Sequence, residues 1–88
     1  MMIRDGFVLR KLPGMNLVMP AGENVKTFNG TLMLNDTAAL IFEHLQKGES
    51  AEDAAKALTA EYDVTEEQAA ADVRKTIADL TEAGVIGA

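Results

Sequence analysis

Cysteine and tryptophan are absent from the sequence, histidine occurs once and proline twice. Without cysteine there is no disulfide framework and no thiolate to serve as ligand or nucleophile. A single histidine, His44, excludes a multi-histidine metal site, and no metal or cofactor is expected. No apolar run exceeds a few residues, far short of the roughly 20 that a membrane helix needs. The N-terminal MMIRDGF lacks the apolar stretch of a secretory signal, so the cytoplasm is the expected compartment. The glycines stand in PGM, AGE, NGT, KGE, AGV and IGA, which read as turns or helix ends and not as a phosphate loop. One domain over residues 1–88 is expected, short enough to bury only about 60–65% of its unfolded surface.

Positive charge is also scarce where it would matter for nucleic acid. Residues 1–34 carry four basic against two acidic side chains, and residues 35–88 carry four against twelve, for a net charge of −6. Phosphate binding draws its energy from clustered Lys and Arg, so nucleic acid is a poor partner for this surface.

What is present reads as β-β-β-α-α-α. FVLRKL, residues 7–12, alternates as a strand, with Phe7, Leu9 and Lys11 on one face and Val8, Arg10 and Leu12 on the other. Pro13-Gly14 turns the chain into MNLVM, residues 15–19, to make a hairpin. AGENVKTFNG, residues 21–30, reads as a loop or strand end pinned to the core by Phe28. TLML, residues 31–34, is a third strand, and Asn35 or Asp36 then caps a helix over about 36–47 that stops at Gly48. Its apolar stripe is Ala38, Ile41, Phe42 and Leu45.

Ser50 to Asp53 resembles a capping box before a second helix, about 51–62, whose small-residue face is Ala51, Ala54, Ala55, Leu58 and Tyr62. Thr65 with Gln68 forms a full capping box before a third helix, about 66–83, which ends at Gly84. Its stripe is Ala69 or Ala70, Val73, Ile77 and Leu80, and residues 85–86 leave as an extended tail. The fold class is α+β: a small winged helix-turn-helix-like domain, a three-stranded antiparallel sheet followed by three helices that cover its apolar face.

Catalytic constellations are not found. Only His44 could activate a hydroxyl nucleophile, and its place beside a helix stripe suits a partly exposed structural histidine. Glu66 and Glu67 favour the positive end of a helix dipole, and Asp79 and Glu82 fit an outer helix face, where neither pair is desolvated for acid–base work. Three binding readings differ in kind. A DNA-binding winged helix would place the third helix in the major groove, but that helix carries two basic and five acidic side chains. A structural or oligomerisation module would pair the third strand with its copy in a homodimer. A peptide-binding module would offer the same strand, which lacks charge and proline, to an extended guest. From the sequence, TLML is equally well an open edge, a covered edge or a central strand.

About six main-chain bonds contribute roughly 0.5–1.5 kcal/mol each. Ordering six or seven guest residues costs about 1–2 kcal/mol apiece, so backbone pairing alone cancels. Micromolar affinity, near −8 kcal/mol by convention of about 1.4 per decade, then requires roughly two to four buried apolar anchors.

In TLMLNDTAALIFEHLQKGESAEDAAKAL and EYDVTEEQAAADVRKTIADLTEAGVI the chain resembles the PqqD family of peptide-recognition domains, also called RiPP recognition elements. The pattern L-N-x-T-A/G-x-x-I-x-x-x-L falls on Leu34, Asn35, Thr37, Ala38, Ile41 and Leu45. Y-D-V and a later D-V fall on Tyr62, Asp63, Val64, Asp72 and Val73, and L-x-x-x-G-x-I on Leu80, Gly84 and Ile86. DGFVLRKLPGMNLVMPAGENVKTFNG is similar to the N-terminal half of small stand-alone members. The resemblance implies a non-catalytic peptide-modification chaperone, as in PQQ biosynthesis. It would bind a precursor-peptide leader by strand addition and present it to a radical SAM enzyme or a leader peptidase. Carried onto this chain, it implies peptide binding by Thr31, Leu32, Met33 and Leu34. Val73, Arg74 and Ile77 would line the groove, with Arg74 meeting a leader carboxylate.

Overall fold

The structure is a computed structural model in which residues 2–3, 6–21 and 31–87 are described. The loop expected at 21–30, with Phe28 as its pin, lies outside the described residues from position 22 onward. The elements run β1 (Met2–Ile3), β2 (Phe7–Leu12), β3 (Met15–Pro20), β4 (Leu32–Leu34), α1 (Asp36–Gln46), α2 (Ala51–Glu61), α3 (Glu66–Glu82) and β5 (Ile86–Gly87). A three-stranded antiparallel sheet in the order β2-β3-β4 precedes three helices, in a winged-helix-like α+β arrangement.

The β2–β3 hairpin closes between Leu12 and Met15, leaving Pro13 and Gly14 as its two-residue loop. Proline presets a negative φ, and Gly14 follows at φ +79°, the sign a type II turn demands after proline. Each helix begins on a side-chain cap. Asn35 Oδ1 accepts the Ala38 N–H at 2.8 Å, Ser50 and Asp53 exchange two bonds of 3.1 Å, and Thr65 Oγ1 accepts the Gln68 N–H at 3.1 Å.

The sheet buries one face. Phe7 on β2, Val18 on β3 and Leu34 on β4 meet Ile41, Phe42 and Leu45 of α1, Leu58 of α2, and Val73 and Leu80 of α3 in one apolar core. On α3 the buried positions are Ala69, Val73, Thr76 and Leu80, while Ile77 is half-buried. Spacings of four, three and four residues keep that stripe straight along the helix.

The chain ends meet in a second small sheet. After α3 the Val85 N–H bonds back to Leu80 O at 2.9 Å and the Gly84 N–H to Thr81 O at 3.1 Å. This Schellman closure, with Gly84 at φ +83°, turns the chain so that β5 pairs antiparallel with β1. Val85, Ile86 and Ile3 are buried there.

Candidate functional site

The geometry of β4 follows from a proline on the neighbouring strand, β3. Pro20 has no N–H, so it cannot exchange two bonds with Phe7, its partner in the β2–β3 register. The Ala21 N–H bonds to Gly6 O at 2.7 Å, which places the bonded pair one step outside and makes Phe7–Pro20 a non-bonded pair. Bonded and non-bonded pairs alternate, so on β3 residues 19, 17 and 15 turn their main-chain groups toward β2. Residues 18 and 16 turn theirs toward β4. Val18 is opposite Leu32 and Asn16 opposite Leu34, while Leu17 is opposite Met33. Leu32 and Leu34 therefore bond to β3, and the N–H and C=O of Met33 point away from it. No strand lies beyond β4 among the described residues, so β4 is an edge whose outward row is centred on Met33.

The other edge of the sheet is guarded. The outward C=O of Phe7 accepts a 3.0 Å bond from Gln46 Nε2, which reaches over from the last turn of α1. One turn earlier, Glu43 pairs with Lys11 on β2. That contact, first as a hydrogen bond and then as a charge attraction, holds the Lys11 ammonium above its ordinary pKa. Charged side chains and a covering helix are standard protections against unwanted strand addition. β4 has neither: Leu32, Met33 and Leu34 are uncharged, and α1 leaves from its C-terminal end.

That end is held rigidly. Asn16, buried on β3, donates from Nδ2 to Leu34 O at 3.1 Å and to Asp36 Oδ1 at 2.9 Å. One amide thus ties the hairpin, the end of β4 and the first turn of α1 together. A concavity of about 430 Å³ opens beside this joint, lined by Gly14, Met15, Asn16, Met33, Leu34, Asn35 and Asp36. Sequence reasoning missed Asn16, because an asparagine within an alternating strand carries no local signal of its partners.

The seven residues expected at the site fall into three groups. Thr31 is exposed and precedes the strand; Leu32 is half-buried, Met33 is 65% exposed and Leu34 is buried. Leu34 and Val73 share the core, against which Leu32 and Ile77 pack from its margin. Val73, only 2% exposed, is part of the core, and Ile77 is the more accessible of the two. Arg74 is exposed and enters no ion pair among the described residues.

His44 and Asp53 each make a local contact at a helix end. His44 Nδ1 lies 2.8 Å from Glu49 Oε1, beside the closing turn of α1. The Asp53 carboxyl is held below its ordinary pKa by the Ser50 main-chain N–H and then by the Ser50 hydroxyl. No grouping of three metal-binding side chains occurs among the described residues. No helix among them is long and apolar enough to cross a membrane.

Comparison with known proteins adds three findings. Residues 16–86 match the family model described as coenzyme PQQ synthesis protein D (PqqD). Among solved structures, TbiB1 in complex with the TbiA(beta) leader peptide superposes with a TM-score of 0.78 at 21% identity, over 97% of this chain and 93% of that one. A lasso peptide synthetase B1 complexed with the leader peptide superposes with a TM-score of 0.71 at 30% identity, over 91% of this chain and 88% of that one. No curated protein matches.

Proposed function

The chain belongs to the PqqD family, and from that premise we propose that it is a non-catalytic binder of a precursor-peptide leader. The leader adds as a fourth strand to β4, and the domain presents the attached peptide to a modifying enzyme, such as a radical SAM enzyme, or to a leader peptidase. The observation that carries this reading is the unguarded β4 edge, with Met33 turned outward beside a sheet whose opposite edge is covered. Two structural neighbours are themselves complexes with leader peptides, which supports the same class of ligand. The cytoplasm, where precursor peptides are made, is the compartment this function requires.

The outward row limits what the backbone supplies. Met33 offers an N–H and a C=O, and the same phase extended one step each way adds Thr31 and the Asn35 N–H. The Asn35 C=O is already taken by the Ala39 N–H at 2.9 Å. About five bonds at roughly 0.5–1.5 kcal/mol each do not exceed the cost of ordering the guest, about 1–2 kcal/mol per residue. Side-chain anchors therefore decide affinity. On the inner side, Leu32, Ile77 and the stem of Arg74 line the groove over Val73, and the Arg74 guanidinium meets a leader carboxylate.

The test is a titration with the leader segment of a candidate precursor peptide, chosen from the short open reading frames nearest this gene, read by calorimetry or fluorescence anisotropy. Binding near the micromolar range is expected, with Arg74→Glu weakening it about two- to fivefold, as for loss of one solvent-exposed charge pair. Absence of binding to that leader, with the protein folded, would sink the proposal.

A further inference from the structure

All the exposed large hydrophobic side chains among the described residues lie on one surface. Val8, Leu12, Met15 and Met33 are 39%, 46%, 39% and 65% exposed. The register places them, with Leu17 and Met19, on the face of the sheet opposite the core. Arg10, opposite Leu17, is the only charged side chain on that face among the described residues. This face does not belong to the groove between β4 and α3. It does share one residue with the leader-binding edge, because Met33 is at once the outward hydrogen-bonding residue of β4 and the outermost side chain of the apolar face.

We infer that the domain reads the leader from both sides of the sheet, with Met33 as a specificity residue for one leader position. The inference rests on the leader-binding reading given above. An antiparallel guest puts one residue directly opposite Met33, exchanging both main-chain bonds with it. Directly opposed residues in a sheet project to the same face, with Cβ atoms about 4.5–5.5 Å apart. The side chain of that guest residue therefore lies on the solvent face against Met33, with Leu17 one strand further in. Its two neighbours in the leader point the other way, to Leu32, Leu34 and α3. The solvent-face residue is apolar, and Met33, unbranched and polarizable, accommodates aliphatic or aromatic shapes there. Recognition confined to the groove would select apolar leader residues at every second position. Recognition from both faces selects three consecutive ones, the middle one belonging to Met33.

A displayed library of random twelve-residue peptides, selected in parallel on the wild-type chain and on Met33→Lys and Met33→Ser, tests this. Met33 is so exposed that neither substitution should disturb folding, which circular dichroism checks. Wild type should enrich a run of three apolar residues. Met33→Lys should shift only the middle position toward Asp and Glu, by about three- to fivefold in frequency, the range for an opposed cross-strand pair. Met33→Ser should relax that position and leave its neighbours unchanged. A middle position that is random on wild type, or identical on Met33→Lys, overturns the two-sided reading while leaving leader binding intact. Failure of the folded wild type to enrich any peptide overturns leader binding and this inference with it.

Discussion

Proline substitution along β4 separates the inward from the outward row of main-chain groups without any ligand. At Leu32 the N–H is spent on Val18, which is fully buried in the middle strand. Leu32→Pro removes that donor and leaves the Val18 carbonyl without it. The lost bond costs about 0.5–1.5 kcal/mol and the stranded acceptor about 1–3 kcal/mol, so roughly 2–4 kcal/mol beyond the side-chain effect reported by Leu32→Ala. A domain of 88 residues has about 4–13 kcal/mol in all. At about 4–8 °C per kcal/mol for a domain of this size, the melting temperature falls by roughly 10–30 °C. Met33→Pro removes a donor that faces outward, and the extended residue before it tolerates a following proline. It should cost less than about 1 kcal/mol, for a mild backbone misfit only. Thermal unfolding followed by far-ultraviolet circular dichroism distinguishes the two. Equal losses for Leu32→Pro and Met33→Pro, or a greater loss at Met33, would refute the bonding phase assigned to this strand.

Further outcomes follow from other contacts. Asn16→Ala breaks the amide bonds to Leu34 and Asp36, and should cost about 2–4 kcal/mol in chemical denaturation; a loss below about 0.5 kcal/mol would show that water replaces the amide at no penalty. Lys11→Val with Gln46→Ala removes both guards of β2, and should raise self-association in analytical ultracentrifugation at protein concentrations where the parent stays monomeric; unchanged sedimentation counts against the guarding role. The Asp53 carboxyl lies below its ordinary 3.8 through its bonds to Ser50, so its stabilisation of α2 is complete above that pH and disappears as the pH falls through the lowered value. Asp53→Asn should therefore flatten this acid limb of the stability curve, and an unaltered limb would assign the acid sensitivity elsewhere.

How much of the site could be read from residue order alone differs from element to element, and the reasons are physical. The hairpin was legible because Pro13-Gly14 admits one turn geometry and both flanking runs alternate. The three helices were legible because Asn35, Ser50 and Thr65 are side-chain caps, and Gly48 and Gly84 take left-handed conformations that stop the first and the third. β1 and β5 were not, since two-residue strands have no periodicity, and only tertiary packing brings Ile3 to Ile86. Thr76, not Ile77, completes the buried stripe of α3 because the helix faces the core at a phase that hydrophobicity alone misplaces by one residue. TLML was equally consistent with an edge and a central strand. The choice depends on pairings across 14 to 18 residues and on Gln46 and Glu43 of α1 covering the other edge.

The most direct measurement of the central claim is amide hydrogen exchange at Leu32, Met33 and Leu34, with and without the leader. In the free protein, Leu32 and Leu34 should be protected by β3 and Met33 should exchange rapidly. Saturating leader should slow Met33 by at least tenfold. A Met33 amide already protected in the free protein, or one that still exchanges rapidly when the leader is bound, would contradict strand addition at β4.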